Sequence, residues 1–211
     1  DVLARIHAVD PDAVGLGDLG RKEDYIARQL KRWYGQWEKS KSREVPAVDE
    51  VHDALLARIP EQGPAAIVHG DYRLDNCMLA DDGSVAAVLD WEICTLGDPL
   101  ADVGLLVVYW GDEDAGFYAL PGSATAAKGF PTTSHVVARY AEVSGRDLSE
   151  IDYYVAFGYW KLACILEGVY SRYRGGAMGG GDDDGTWAVF GKQVELLAEA
   201  AATSLERIGG G

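Results

Sequence analysis

The sequence predicts an α+β fold that is mostly helical, with one small β-hairpin set inside the helical body. Two observations lead there. Apolar residues recur at helical spacing over long stretches toward both ends, as in Tyr25, Ile26, Leu30, Trp33, Tyr34 and Trp37. Between those stretches, two short apolar, β-prone runs (77–80 and 85–89) flank Asp81-Asp82-Gly83-Ser84, a turn sequence suited to a hairpin. No internal repeat is present, and 211 residues suffice for one domain or one large lobe with a sizeable core.

Taken in order, an apolar helical pattern of Val2, Leu3, Ile6 and Val9 starts beside the first residue. A helix is expected over 21–41 and another over 48–59, closed by Pro60. Residues 61–64 read as a loop and 65–68 as a short apolar strand. An octet rich in polar groups follows, His69-Gly70-Asp71-Tyr72-Arg73-Leu74-Asp75-Asn76, and then the hairpin. Asp98-Pro99 is an N-cap followed by proline at the first helical position, opening a helix over 99–110. Residues 111–133 carry Gly, Pro and acidic groups and read as a long irregular connection. A helix over 134–144 ends at Gly145, and Ser149 with Asp152 forms a capping box for a long helix to about residue 174. The glycine-rich stretch 175–185 reads as a flexible loop. Its acidic run, 182–184, is a solvated segment rather than a calcium site, for it lacks a closing Glu. A final helix spans 186–208.

Composition narrows the function classes. The net charge is −15, from 34 acidic against 19 basic residues, so no nucleic-acid partner is expected: that affinity comes from cations neutralising phosphates. A nucleotide would need local cations to offset the field. The same charge favours a cationic small molecule only weakly, because the charge of the local pocket decides. Cys77, Cys94 and Cys164 are scattered and form no C-x-x-C pair, so reduced, buried thiols in a cytoplasmic protein are expected rather than a zinc or redox site. The apolar run 100–110 is too short for a membrane span, and no membrane partner is expected.

The hairpin itself makes a geometric prediction. Strands folding about Asp82-Gly83 pair residues whose numbers sum to about 165, and Asn76 and Asp90 fall within one residue of that register. They should meet at the open end, with Asp71 on the loop just before. Three oxygen-bearing side chains would then converge where a hard cation such as magnesium could sit. Phosphoryl transfer needs such a set, because its transition state spreads negative charge over oxygens and catalysis is mostly positioning plus neutralisation. Asp71 fits the carboxylate that orients the attacking hydroxyl and accepts its proton. Asp90 with Asn76 fits the pair that holds the metal. The plainer alternative for Asp71 is a solvated turn residue, and for Asn76 and Asp90 it is Asx-turn chemistry at strand ends.

The spacing of Asp71 and Asn76 matches the catalytic loop of kinases, which have a metal-binding Asp beyond a short hairpin. His69-Gly70-Asp71, Asp90-Trp91-Glu92 and Gly97-Asp98-Pro99-Leu100-Ala101-Asp102 together resemble the aminoglycoside and choline phosphotransferase family. The whole octet and Leu89-Asp90-Trp91-Glu92 are similar to kinase-like domains related to, and sometimes fused with, acyl-CoA dehydrogenases. The resemblance implies that residues 1–211 form a protein-kinase-like C-terminal lobe. Asp71 would be catalytic, and Asn76 and Asp90 would bind the cofactors, ATP and Mg2+. The acceptor would be a hydroxyl on a small molecule, aminoglycoside-like or hydroxyacyl-CoA-like. The family's N-terminal lobe carries a nucleotide-covering loop, a phosphate-binding Lys and a partner Glu. Nothing before His69 matches these, and the glycines of 15–20 lie between helices rather than at a strand turn. The nucleotide-binding lobe is therefore expected to be absent from this chain, and the chain alone to be inactive.

Other residues have sufficient structural explanations. His69 is expected to pack and hydrogen-bond beneath the loop, Asp98 to cap a helix, and Asp102 to complement a helix dipole. Glu92 is expected near the metal without touching it. Arg73 and Asp75, inside the loop, are candidates to face substrate. The aromatic stripe with Tyr153, Tyr154, Phe157, Tyr159, Trp160, Tyr170 and Tyr173 is expected in the core. Two other function classes compete. One is a catalytically inactive kinase-like module that binds nucleotide or serves as a scaffold, against which the intact Asp71, Asn76 and Asp90 argue. The other is a metal-dependent phosphohydrolase, which needs clustered His ligands, whereas His7, His52 and His135 lie on predicted helices.

Overall fold

The computed structural model describes residues 1–111, 123–175 and 186–208. The elements run α1 (Val2–His7), α2 (Tyr25–Ser40), α3 (Pro46–Leu56), β1 (Ala66–Val68), β2 (Cys77–Leu79), β3 (Val85–Val88), β4 (Thr95–Gly97), α4 (Leu100–Trp110), α5 (Thr133–Ser144), α6 (Ile151–Arg174) and α7 (Thr186–Ile208). A single 3-10 turn, Leu74–Asn76, sits between β1 and β2. The predicted α+β, mostly helical fold with a small hairpin is what the chain forms.

Helix α6 is the axis of the helical body, with α2, α3, α4 and α7 packed around it. Its aromatic stripe explains why: Tyr153, Tyr154, Phe157, Trp160 and Tyr170 are buried, while Tyr159 and Tyr173 are half-buried. Burying each large apolar side chain contributes roughly 1.5–3 kcal/mol. The polar tips are satisfied as they go in, as buried polar groups must be. Trp160 Nε1 donates to the Val48 carbonyl at 3.0 Å, Tyr153 Oη to the Leu55 carbonyl at 3.0 Å, and Trp37 Nε1 to Asp49 at 3.1 Å. Close approach of α4 to α6 depends on Gly104, where an added Cβ would stand 2.3 Å from the Tyr154 carbonyl oxygen.

Two small antiparallel sheets hang on this body. In one, β2 and β3 pair Cys77 with Val88 and Met78 with Ala87, the register expected from the turn sequence, before an irregularity at Leu79. In the other, β1 pairs with β4, Ala66 against Gly97 and Val68 against Thr95. The sequence reading found β1 but not β4, since a three-residue strand containing Gly has no pattern of its own; its partner across the sheet defines it.

Several expectations need correction. Ser149 does not cap α6: its hydroxyl donates to Asp147 at 3.0 Å, and the helix begins without a side-chain cap. Of the three thiols, all free, only Cys164 is buried; Cys77 and Cys94 are half-buried. Helix α5 does end at Gly145, whose φ of 66° is the left-handed conformation glycine adopts without strain. The expected irregular connection 111–133 lies in part, and the glycine-rich loop with its acidic run almost wholly, outside the described residues. Among the described residues, no helix is long and apolar enough to cross a membrane.

Candidate active site

The site starts from how β1 ends. Val68 is fully buried, and the chain then turns through Gly70 at φ +87°, a left-handed value that favours glycine. Turning away from the sheet leaves two buried backbone N–H groups without ladder partners. Asp102, in the first turn of α4 and only 1% exposed, supplies both acceptors. Its Oδ2 takes the His69 N–H at 2.7 Å and its Oδ1 takes the Gly70 N–H at 2.8 Å. The same carboxylate accepts from His7 Nε2 at 3.2 Å, and His7 Nδ1 in turn meets the Tyr140 hydroxyl at 2.7 Å. The Gly70 carbonyl is held from the other side by Lys161 Nζ of α6 at 2.9 Å. Burial pushes the Lys161 ammonium below its usual pKa, a shift that the fields of Asp102 and Asp71 oppose.

His69 is fully buried and does what was expected, packing beneath the loop. Its Nδ1 accepts from the Asp71 N–H at 3.2 Å, so Nε2 carries the proton that it donates to the Leu89 carbonyl at 2.9 Å. One imidazole thus ties the loop to the end of the hairpin.

Asp71 emerges from this clamp with its side chain 26% exposed. Asn76, at the end of the 3-10 turn, donates its amide nitrogen to the Asp71 carbonyl at 2.8 Å and to the Asp71 carboxylate at 3.1 Å. That leaves the amide oxygen of Asn76 available to a cation. Asn76 also accepts the Leu89 N–H on its own carbonyl at 2.8 Å, the last bond of the β2–β3 ladder. Asp90 is the next residue, exposed, with a left-handed φ of 63° that an Asp tolerates better than most side chains. Asp71 and Asn76 therefore meet directly, and Asp90 lies one residue past the bond that joins Leu89 to Asn76. Among the described residues no three His, Cys, Asp or Glu side chains form a metal cage. One carboxylate plus one amide oxygen suits magnesium, which keeps waters and substrate phosphates for its remaining positions.

The remaining loop residues turn inward on one another. Arg73 lies over the Tyr109 ring at 5.1 Å, with its Nε 3.5 Å from Asp71 and Nη1 3.4 Å from Asp75. The Tyr109 hydroxyl is pushed up by burial and by the Asp71 carboxylate beside it. Glu92 lies on the wall of a cavity that Lys161 also lines. Asp98 does more than cap. It accepts the Leu100 N–H at 3.0 Å and the Tyr154 hydroxyl at 2.6 Å, and burial raises its pKa despite both bonds. The loop is supported not by Asp98 but by Asp102.

Asp102 and Lys161 are thus the residues that sequence reasoning undervalued. The signal was available: each is a charge inside an apolar helical run, Ala101-Asp102-Val103 and Trp160-Lys161-Leu162, and a charge there requires a partner.

Comparison with known proteins places this geometry. A family model described as the phosphotransferase enzyme family, APH, matches residues 1–133. Acyl-CoA dehydrogenase family member 10 of Mus musculus is 34% identical over 95% of this chain and 19% of its own length. Family member 11 of Gallus gallus is 29% identical over 99% of this chain and 27% of its own. This chain therefore spans about a fifth to a quarter of those relatives. Among solved structures, one from Ralstonia eutropha JMP134, described as a "putative aminoglycoside phosphotransferase", superposes with a TM-score of 0.81 at 34% identity, covering 98% of this chain and 63% of that one. The macrolide 2'-phosphotransferase MphH of Brachybacterium faecium shares the fold, with a TM-score of 0.52 at 22% identity over 97% of this chain and 58% of its own.

Proposed function

Because the chain belongs to the phosphotransferase enzyme family, we propose that it carries the catalytic lobe of an enzyme that moves the γ-phosphoryl group of ATP to a hydroxyl of a small molecule. The observation that carries this reading is the bonding of Asn76 to Asp71 through its amide nitrogen, with Asp90 one residue past the last hairpin bond. This supports a reading in which a proton acceptor stands beside groups that would hold a cation.

In this reading Asp71 accepts a hydrogen bond from the acceptor hydroxyl and takes its proton as the new P–O bond forms. Asn76 fixes the Asp71 carboxylate, so its geometry is set before substrate arrives. The amide oxygen of Asn76 and the carboxylate of Asp90 would hold Mg2+, which would supply positive charge against the nucleotide's phosphates. The residues that cover the nucleotide would come from outside positions 1–211, and this chain alone would not turn over.

The test is transfer of labelled phosphate from ATP, with and without Mg2+, by the full-length protein to a panel of hydroxyacyl-CoAs and aminoglycosides. Asp71→Asn should lower transfer about 10²–10⁴-fold. Transfer that survives the substitution undiminished would remove Asp71 from its role. ATP binding with no transfer to any hydroxyl would favour the inactive, scaffolding alternative.

A further inference from the structure

Beside the loop lies a second cavity, of about 460 Å³, whose charge is opposite to that of the molecule as a whole. Arg28 and Arg32 of α2 and Lys161 of α6 line it, with Glu92 as the carboxylate on its wall. Among the described residues none of the three cations is in an ion pair. In a chain with 34 acidic residues, three cations without an ion pair around one hollow call for a reason.

The individual groups sharpen the point. Arg28 spends Nη2 on the Arg21 carbonyl at 2.6 Å, while its Nη1 is buried with no partner among the described residues. An unsatisfied buried guanidinium N–H is costly unless a ligand oxygen completes it. The Arg32 guanidinium carbon lies 5.2 Å from the centre of the Trp33 ring, and Lys161 Nζ lies 5.6 Å from the same ring. Aromatic support of this kind fixes cations without neutralising them. Forked guanidinium donors beside an ammonium suit the oxygens of a phosphate or a carboxylate.

We propose that this cavity binds an anionic group, phosphate or carboxylate, carried by the acceptor molecule. The inference rests on the phosphotransfer reading and assigns its substrate class. Gly70, immediately before Asp71, and Glu92, two residues past Asp90, both form part of the cavity wall, whereas Asp71, Asn76 and Asp90 themselves do not. An anion held here would therefore sit beside the residue that precedes the proton acceptor, without taking the place of any of the three. The local charge also reverses the weak preference that the net charge gave: a polyamine would meet three cations, and an anionic hydroxy compound is favoured.

The test uses inorganic phosphate as a probe and needs no turnover. Isothermal titration into the wild type and into the Arg28→Gln/Arg32→Gln double variant should show binding that weakens at least about tenfold in the variant. Arg28→Lys/Arg32→Lys, which keeps the charge, should restore much of it. Equal binding by wild type and glutamine variant, or none by the wild type, overturns the site. In the full-length enzyme the glutamine variant should raise KM for an anionic acceptor about tenfold with KM for ATP in place. A rise in KM for ATP instead would assign the cations to the nucleotide and overturn the acceptor assignment. Phosphate binding that persists in a protein that transfers nothing would count against phosphotransfer and leave the anion site standing. Normal turnover with unchanged acceptor KM would do the reverse.

Discussion

Asp71 and Asp90, which the proposed function assigns to one site, come from differently built regions. Asp71 follows a turn whose N–H groups, carbonyl and neighbouring imidazole are all engaged by buried groups from α4, α6 and the hairpin end. Asp90 closes a two-stranded ribbon whose outer residues Met78 and Leu79 are 54% and 52% exposed. A group that must accept a proton at a fixed point gains from being over-determined. A group that holds a cation together with a nucleotide has to stay open to both. The hairpin's exposed apolar face would be covered only by something beyond the described residues.

The contrast can be broken experimentally, most directly at Asp102. Asp102→Ala strands two buried N–H groups and one imidazole donor, so urea denaturation should show a loss of roughly 3–5 kcal/mol; a loss under about 1 kcal/mol would mean that the clamp is not what holds the loop. Gly104→Ala works on the same region by packing alone. Its Cβ would stand 2.3 Å from the Tyr154 carbonyl, so α4 must lift from α6, costing about 1–3 kcal/mol by thermal or urea unfolding.

Lys161 sharpens the comparison through pH. Burial lowers its folded-state pKa below 10.5, so between that lowered value and 10.5 the unfolded chain binds more protons than the folded one. Stability of the wild type should therefore rise with pH across this window, measured as the urea midpoint. Lys161→Met should remove that rise, and an identical slope in both would show the ammonium to be less desolvated than its surroundings indicate. The smallest effect on stability belongs to the open region. Asp90→Asn, which keeps a side chain tolerant of the left-handed backbone, should change stability by no more than about 0.5 kcal/mol. Phosphate transfer should nevertheless fall by roughly two to three orders of magnitude. A large loss of stability in Asp90→Asn would erase the distinction between the two regions.

What was readable beforehand follows the range of the interactions. The β2–β3 register, which brings Leu89 onto Asn76, could be obtained by counting residues across one turn, because a hairpin is local. The helices α2, α5, α6 and α7 could be read from periodicity. Strand β4 could not, since Thr95–Gly97 becomes a strand only by lying against Ala66–Val68. The clamp was hidden for the same reason. The dipole of α4 already accounts for an Asp at position 102, and only the fold shows that its two oxygens reach back to His69 and Gly70. The basic cavity brings α2 to α6 across more than a hundred residues of chain, and net charge pointed the other way.

The double hold on Gly70 also bears on time. Its amide and that of His69 point at a carboxylate with almost no solvent access, so deuterium should reach them only when α4 leaves β1. Opening of the turn at His69 and Gly70 is then coupled to the separation of α4 from β1.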